Sequence, residues 1–446
     1  MNKCGALVLA TILVFLAVTV PASAADASGR PRVIVTTDGE VDDRCSMNRF
    51  LLYANDWDIR GLIHSSSKHH WKGNAQDPGH KWNDVSWLDE QLAAYEAVYP
   101  QLKQHAPGYP TADELRSQVF VGNIKLEGDM RDATPGSNRI VEVLLEEDPS
   151  PVWLQAWGGA NTIARALKTI EEKYPNRVEE VSAKAKIFLI THQDNTYDTY
   201  IRKQWPNVEV LLSNYPSFGA IAYGWGKLLP PDAKKYFGRV WMRENLLKKH
   251  GPLLDLYEHK DLRFRSEGDS PAFLHVINTG LRSDEHPTYG GWGGRFYQAK
   301  PHLWRSVDGK QPGPHSISRW AIDFQNDWAA RADWCVKDYE QANHHPVVTL
   351  RNEQDITASP GANIVLEAEA SDPDGDTLQY QWWPYQEAGT YPAALTIENA
   401  EAPRATFHVP DDAQAGQTMH LVCTVSDNGT PPLKKHRRVI VTCGPE

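Results

Sequence analysis

The chain has 446 residues, too many for one ordinary core, so two domains are expected. Its 46 basic against 57 acidic residues leave a net charge of −11, which repels phosphate backbones and excludes nucleic acid as a leading partner. With 41% hydrophobic and 23% charged residues the composition is that of a globular chain, and 16 tryptophans are its unusual feature.

Residues 1–24 read as a secretory leader. Lys3 supplies the positive end, Ala6 to Val20 is apolar, and Ala22-Ser23-Ala24 is a small-residue cleavage site. The apolar run is short and ends at Pro21, which argues against a membrane anchor. The mature chain is expected to be soluble, secreted or periplasmic, with no membrane partner. Cleavage removes Cys4 and leaves Cys45, Cys335, Cys423 and Cys443. Export permits disulfides, and their pairing is open.

Residues 25–342 form the expected first domain. Strands are predicted at Val33–Thr37, Gly61–His64, Val119–Gly122, Val152–Ala156, Lys186–Thr191 and Val208–Leu212. Between them Met47, Phe50, Leu51 and Ala54 recur with helical spacing, as do Ile140, Val143 and Leu144, then Ile163, Leu167 and Ile170. Apolar strands separated by helices imply an α/β fold with a doubly wound, mostly parallel sheet. From Lys227 to Asp338 the pattern is irregular and is read as long loops over the site. Residues 343–446 change texture. Short alternating runs at Ile364–Ala368, Leu378–Trp382, Ala405–Val409, Met419–Ser426 and Arg438–Thr442, split by turn residues, predict an all-β immunoglobulin-like sandwich.

Ligands of such parallel sheets bind at the carboxyl ends of the strands. The residues just past the first strand are Asp38-Gly39-Glu40-Val41-Asp42-Asp43. So many carboxylates in one tight loop repel unless something neutralises them, and a hard cation with oxygen ligands, such as calcium, does so. Capping of the following helix is the plainer reading and accounts for one or two of them. His64, His69 and His70 follow the second strand, and Asp194 and Asn195 follow a later one. Each is either a substrate contact or ordinary loop chemistry. Trp71, Trp82, Trp292 and Trp304 fall in predicted loops and are candidate sugar platforms. Arg295 is a candidate partner for a substrate oxygen. In the sandwich, Asp372, Asp374 and Asp376 are a candidate cation loop, and one ring of Trp382-Trp383 is expected to face outward.

The run Val33-Ile34-Val35-Thr36-Thr37-Asp38-Gly39-Glu40-Val41-Asp42-Asp43 resembles the calcium-binding signature of the inosine-uridine nucleoside hydrolases. Asp38, Asp42 and Asp43 fall on its last three aspartates, with Thr36 in place of the first. Gly158-Gly159-Ala160-Asn161-Thr162-Ile163-Ala164 is similar to a second motif of that family, in which the Asn161 position offers its carbonyl to calcium. Glu267-Gly268-Asp269 stands where the family has a His-Asp pair. The whole chain, with His69-His70-Trp71 and Gly290-Gly291-Trp292-Gly293-Gly294-Arg295, is more similar still to a secreted bacterial family of cellulose-binding proteins. That family joins a nucleoside-hydrolase-like domain to a β-sandwich.

The resemblance implies calcium held by Asp38, Asp43, Asn161 and Asp269. It implies Asp38 as general base for hydrolysis of a glycosyl or N-glycosyl bond, and Asp42 on a sugar hydroxyl. His69, His70, Asp194, Asn195, Trp292 and Arg295 complete the candidate substrate site. Gly268 cannot protonate a leaving group as a histidine does; His64, His69 and His70 are either its replacement or surface and structural histidines. The alternative is therefore a non-catalytic carbohydrate-binding protein on a hydrolase-like scaffold. The partner in either reading is a carbohydrate or nucleoside-like small molecule, extending to cellulose or another polysaccharide.

Overall fold

A computed structural model of the chain describes residues 29–309 and 316–445. The leader expected over residues 1–24 lies outside the described residues. Among the described residues, no helix is long and apolar enough to cross a membrane.

Eight strands form one sheet: β1 (Arg32–Thr37), β2 (Asp58–His64), β3 (Val119–Val121), β4 (Val152–Ala156), β5 (Ala185–Ile190), β6 (Glu209–Ser213), β7 (Phe296–Lys300) and β8 (Leu303–Ser306). Their order is β3-β2-β1-β4-β5-β6-β8-β7. Every pairing is parallel except the terminal β7–β8 hairpin. Chain order reverses at β1, between β2 and β4, and this is where a doubly wound sheet opens a crevice for ligand. β1 is buried along its whole length, as a central strand covered on both faces must be. One apolar cluster gathers Phe50, Trp57, Trp157 and Phe273 on one face of the sheet, and a second gathers Ile34, Leu154, Ile163 and Leu167 on the other.

The remaining strands make two four-stranded sheets. One is β10 (Asp355–Ala358), β16 (Lys434–Cys443), β15 (Thr418–Ser426) and β12 (Gln379–Pro384). The other is β13 (Ile397–Glu398), β14 (Arg404–His408), β11 (Asn363–Ser371) and β9 (Val347–Leu350). Leu366, Trp382, Phe407, Leu421 and Val439 fill the space between them. The fold is thus α/β with a mostly parallel sheet, followed by a β-sandwich.

The two halves are joined through the backbone. His436 N donates to Thr279 O at 3.1 Å and Arg438 N to Gly280 O at 3.2 Å. Gly280 is required there: its φ is +85°, and a β-carbon would stand 1.8 Å from the His436 carbonyl oxygen. Of the Trp382-Trp383 pair, Trp383 is the ring outside the sandwich core, but it is not an open sugar platform. It instead packs at this junction, its ring 6.1 Å from that of Trp320 and its indole N–H on Thr424. Its strand leaves the sandwich core to Trp382 and turns Trp383 toward the first domain, so the alternation is right and the surroundings differ. Among the described residues, Cys45, Cys335, Cys423 and Cys443 are buried and unbridged.

Candidate metal and sugar site

Asp38, at the carboxyl end of β1, is buried. Asp42 and Asp43 lie in the first turn of the helix Val41–Leu52, where the dipole favours negative charge. Asp43 also steadies the loop: its Oδ1 accepts from Asp38 N at 3.1 Å and from the Thr37 hydroxyl. Asp269 arrives from the turn before the short helix Ser270–Leu274. One carboxylate oxygen each from Asp42, Asp43 and Asp269 lies within 4.8 Å of the others. Asp38, Glu40 and His70 make a neighbouring group of the same size.

These carboxylates shape one another's ionisation. Burial, then the charges of Glu40 and Asp38, push Asp42 up to about 7. Burial, then Asp38 and Asp42, push Asp43 well above the usual carboxylate range. Asp269 is raised in the same way by burial and then by Asp43, Asp42 and Asp38. Asp38 departs from the pattern. Burial works against its charge, but His70, Asp43 and Ser67 outweigh it and hold its carboxyl below the ordinary value. His70 Nδ1 lies 3.5 Å from Asp38 Oδ2 and 3.7 Å from Glu40 Oε2. Burial lowers the His70 pKa, yet Asp38 and Glu40 carry it above the usual imidazole value.

The group fits a hard divalent cation. Asp42 Oδ1 and Asp269 Oδ2 are buried and accept no hydrogen bond. Unpaired buried carboxylate oxygens are costly, and several facing one another are more so. All are hard oxygen donors, the set that calcium prefers.

The other predicted residues divide. Thr36, at the position of the family's first aspartate, is buried and bonds the backbone of β4 through Gln155 O at 3.3 Å. Asn161 opens the helix Asn161–Lys173, and its side-chain amide is committed to Ser66, Asn123 and Asp129. Asp194 caps that same helix, accepting from Asn161 N at 2.9 Å and from Thr196. Asn195 and His69 are exposed on the rim. His64 is buried beside Trp87 and is held near 4 by that burial.

Two residues leave the site. Trp292 is 2% exposed in the apolar core against Phe324, because the glycines around it let the chain fold inward. Arg295 packs on Gly290 at the junction with the sandwich. Trp304 is likewise buried, on β8.

Other contributors went unread in the sequence. Arg49 and Glu267 form a fully buried ion pair at 2.6 Å beneath the carboxylates, with Tyr257 and Ser270 also bonded to Glu267. This ties the helix carrying Asp42 and Asp43 to the turn carrying Asp269. Gly268 is where the resemblance has histidine. A β-carbon here would stand 2.8 Å from Asp42 Oδ2 and 3.4 Å from Ala222, so Asp42 takes the space a larger residue needs. No pattern in one sequence pairs residue 49 with residue 267.

A parallel sheet with an acidic mouth at its switch point, followed by a sandwich, defines a nucleoside-hydrolase-like protein with a C-terminal β-domain. Residues 32–296 match the family model described as cellulose-binding Sde182, nucleoside hydrolase-like domain, and residues 363–443 match that of the cellulose-binding protein Sde0182, C-terminal domain. The chain belongs to this Sde182 family. Among solved structures it is similar to a nucleoside hydrolase-related hypothetical protein from Saccharophagus degradans that is associated with carbohydrate metabolism. That likeness has 31% identity and a TM-score of 0.79, and covers 93% of this chain and 100% of the other. The effector protein XOO4466 aligns at 10% identity and a TM-score of 0.36, over 69% of this chain and 95% of its own. The PKD domain of the KIAA 1837 protein aligns at 20% identity and 0.17, over 22% and 88%. At those scores neither bears on the fold. No curated protein matches the chain.

Proposed function

We propose that the protein is an exported carbohydrate-binding protein whose acidic mouth, loaded with calcium, grips sugar hydroxyls. One observation carries the reading: Asp42, Asp43 and Asp269 converge within 4.8 Å, where burial and neighbouring carboxylates raise the pKa of each. Asp38, Asp43, Asp269 and the Asn161 carbonyl would hold the ion. Bound there, calcium supplies ligation positions for water and for neighbouring hydroxyls. Asp42 accepts a hydrogen bond from a sugar hydroxyl, the buried His70 stands beside Asp38, and His69 and Asn195 are exposed to solvent. The family description, cellulose-binding, supports a glucan as the ligand.

Retention on insoluble cellulose tests this. Wild type should be retained with calcium and released by a chelator, and Asp43→Asn should be released in both conditions. Equal retention of wild type and Asp43→Asn would remove the acidic mouth from binding.

A second reading, hydrolysis of a glycosyl or N-glycosyl bond, draws on the closeness of His70 to Asp38. Asp38, kept ionised, takes a proton from water at Oδ2 as that water adds to the anomeric carbon, and the leaving group departs with a proton. Gly268 offers no donor for that last proton and leaves His70 to supply it while also pairing with Asp38, so binding is the favoured reading. Release of reducing sugar or free base from cello-oligosaccharides or nucleosides with calcium present, lost in Asp38→Asn, would reverse the preference.

A further inference from the structure

A cavity of about 380 Å³ lies beside the acidic mouth, with Arg44 and Trp87, which touch the β1 loop, in its wall. Trp82, Asn83, Glu90, Arg44, Leu256 and Glu258 line it. The connection is through Gly39. Arg44 Nη1 donates to the Gly39 carbonyl at 2.6 Å, and a β-carbon on Gly39 would lie 2.7 Å from Trp87 Nε1 and 3.4 Å from Asn83. Asp38 and Glu40 flank that glycine in the chain, so residues of the cavity wall touch the loop that carries the carboxylates. None of the lining residues has a part in the acidic mouth.

The lining has the chemistry of a sugar subsite. Trp82 is half-buried and Leu256 exposed, which gives an apolar wall. A pyranose presents an apolar C–H face to such a ring while its hydroxyls radiate from the edge. Around the edge stand acceptors and donors: Glu90, the Asn83 amide, and Arg44 paired with Glu258. Because Glu258 already neutralises Arg44, the cavity offers no free cation to a phosphate or a sulfate. The volume lies at the low end for small-ligand sites, which run from about 300 to 1,000 Å³ and so suit a short stretch of glycan.

We propose that this cavity is a second saccharide subsite, so that a β-linked glucan chain places one unit at the acidic mouth and a neighbouring unit on Trp82. The class of ligand rests on the carbohydrate reading above, and the location rests on the cavity alone. A chain-length dependence is the direct consequence: longer oligomers reach both places and short ones do not.

Calorimetric titration of the full chain with cellobiose and cellohexaose, with calcium present, tests the proposal. Wild type should bind cellohexaose more tightly than cellobiose by a factor of about ten or more, the scale of one buried aromatic contact. Trp82→Ala should lose that gain, while Trp82→Tyr, which keeps a ring, should retain most of it. An unchanged melting temperature in both variants confirms that folding is not the cause. If Trp82→Ala binds cellohexaose as wild type does while Asp43→Asn loses it, the cavity inference falls and the acidic mouth stands. If Trp82→Ala loses the gain while Asp43→Asn and chelation change nothing, the acidic mouth falls and the cavity stands. Wild type that binds neither oligomer overturns both.

Discussion

The helix Val41–Leu52 carries buried charge at both ends and treats the two ends differently. At its last turn Arg49 meets Glu267 at 2.6 Å, with Gln325 and Phe324 O taking its remaining donors and the Trp328 ring 3.9 Å from its guanidinium carbon. Every charge there has a partner. At its first turn Asp42 and Asp43 face Asp269, and like charge meets like charge. The chain is able to place a counter-charge in this region, since it does so one or two turns away. The contrast teaches that the mouth carries charge without an internal counter-charge, and that the paired end braces the helix against the turn that bears Asp269.

The largest expected effect comes from breaking the brace. Arg49→Met leaves Glu267 buried and unpaired, which costs about 3–5 kcal/mol. Urea unfolding reads it, and a loss under about 1 kcal/mol would show that the two ends are not different in kind. Next is the mouth. Calcium at about one hundred times its Kd should raise stability by about 2.7 kcal/mol, seen as a saturable rise in Tm that Asp43→Asn abolishes. An unmoved Tm in wild type would sink the cation reading. Smaller, and opposite in sign, is Asp43→Asn without calcium. Burial and repulsion by Asp38 and Asp42 make the charged form unfavourable, so neutralising it should stabilise the apo protein by on the order of 1 kcal/mol. Destabilisation there would mean that Thr37 and the loop matter more than the repulsion.

The last test is a slope. Asp327 is buried with His345 and Arg331. Burial opposes its charge, but those partners outweigh it and leave its pKa strongly lowered. A carboxylate depressed on folding stabilises above its unfolded value, near 3.9, and that contribution is lost as pH falls toward the folded value. Wild type should therefore lose stability below about pH 4, and Asp327→Asn should lose less over the same interval. Parallel acid limbs for the two proteins would count against the pairing.

The central sheet was legible because β1, β4, β5 and β6 are apolar on both faces, and the predicted ranges agree with the observed strands to within a residue or two. The hairpin β7–β8 was not. Its residues are half polar and lie in a stretch whose glycines and prolines hide any period. In the sandwich, β9, β10 and β13 have two to four residues and give too little alternation to read. The carboxylate loop announced itself by charge density alone. Arg49–Glu267 could not, because a contact across 218 positions leaves no local mark. Trp292 misled because glycine neighbours suggest a loop, and only packing decides which way a loop side chain turns. The same holds for most of the tryptophan excess: Trp57, Trp157, Trp205, Trp328 and Trp382 are all fully buried core residues.

The ladder between Thr279–Gly280 and β16 has a mechanical meaning. Lys434 also meets Asp323 at 2.7 Å and Arg438 meets Gly290 O at 3.0 Å, so the sandwich is gripped along an edge rather than hung on a tether. A polymer held at the mouth, as proposed, would keep one fixed angle to the sandwich. Drag on such a fibre would pass through the seam as torque, and the two halves would turn together on an insoluble surface.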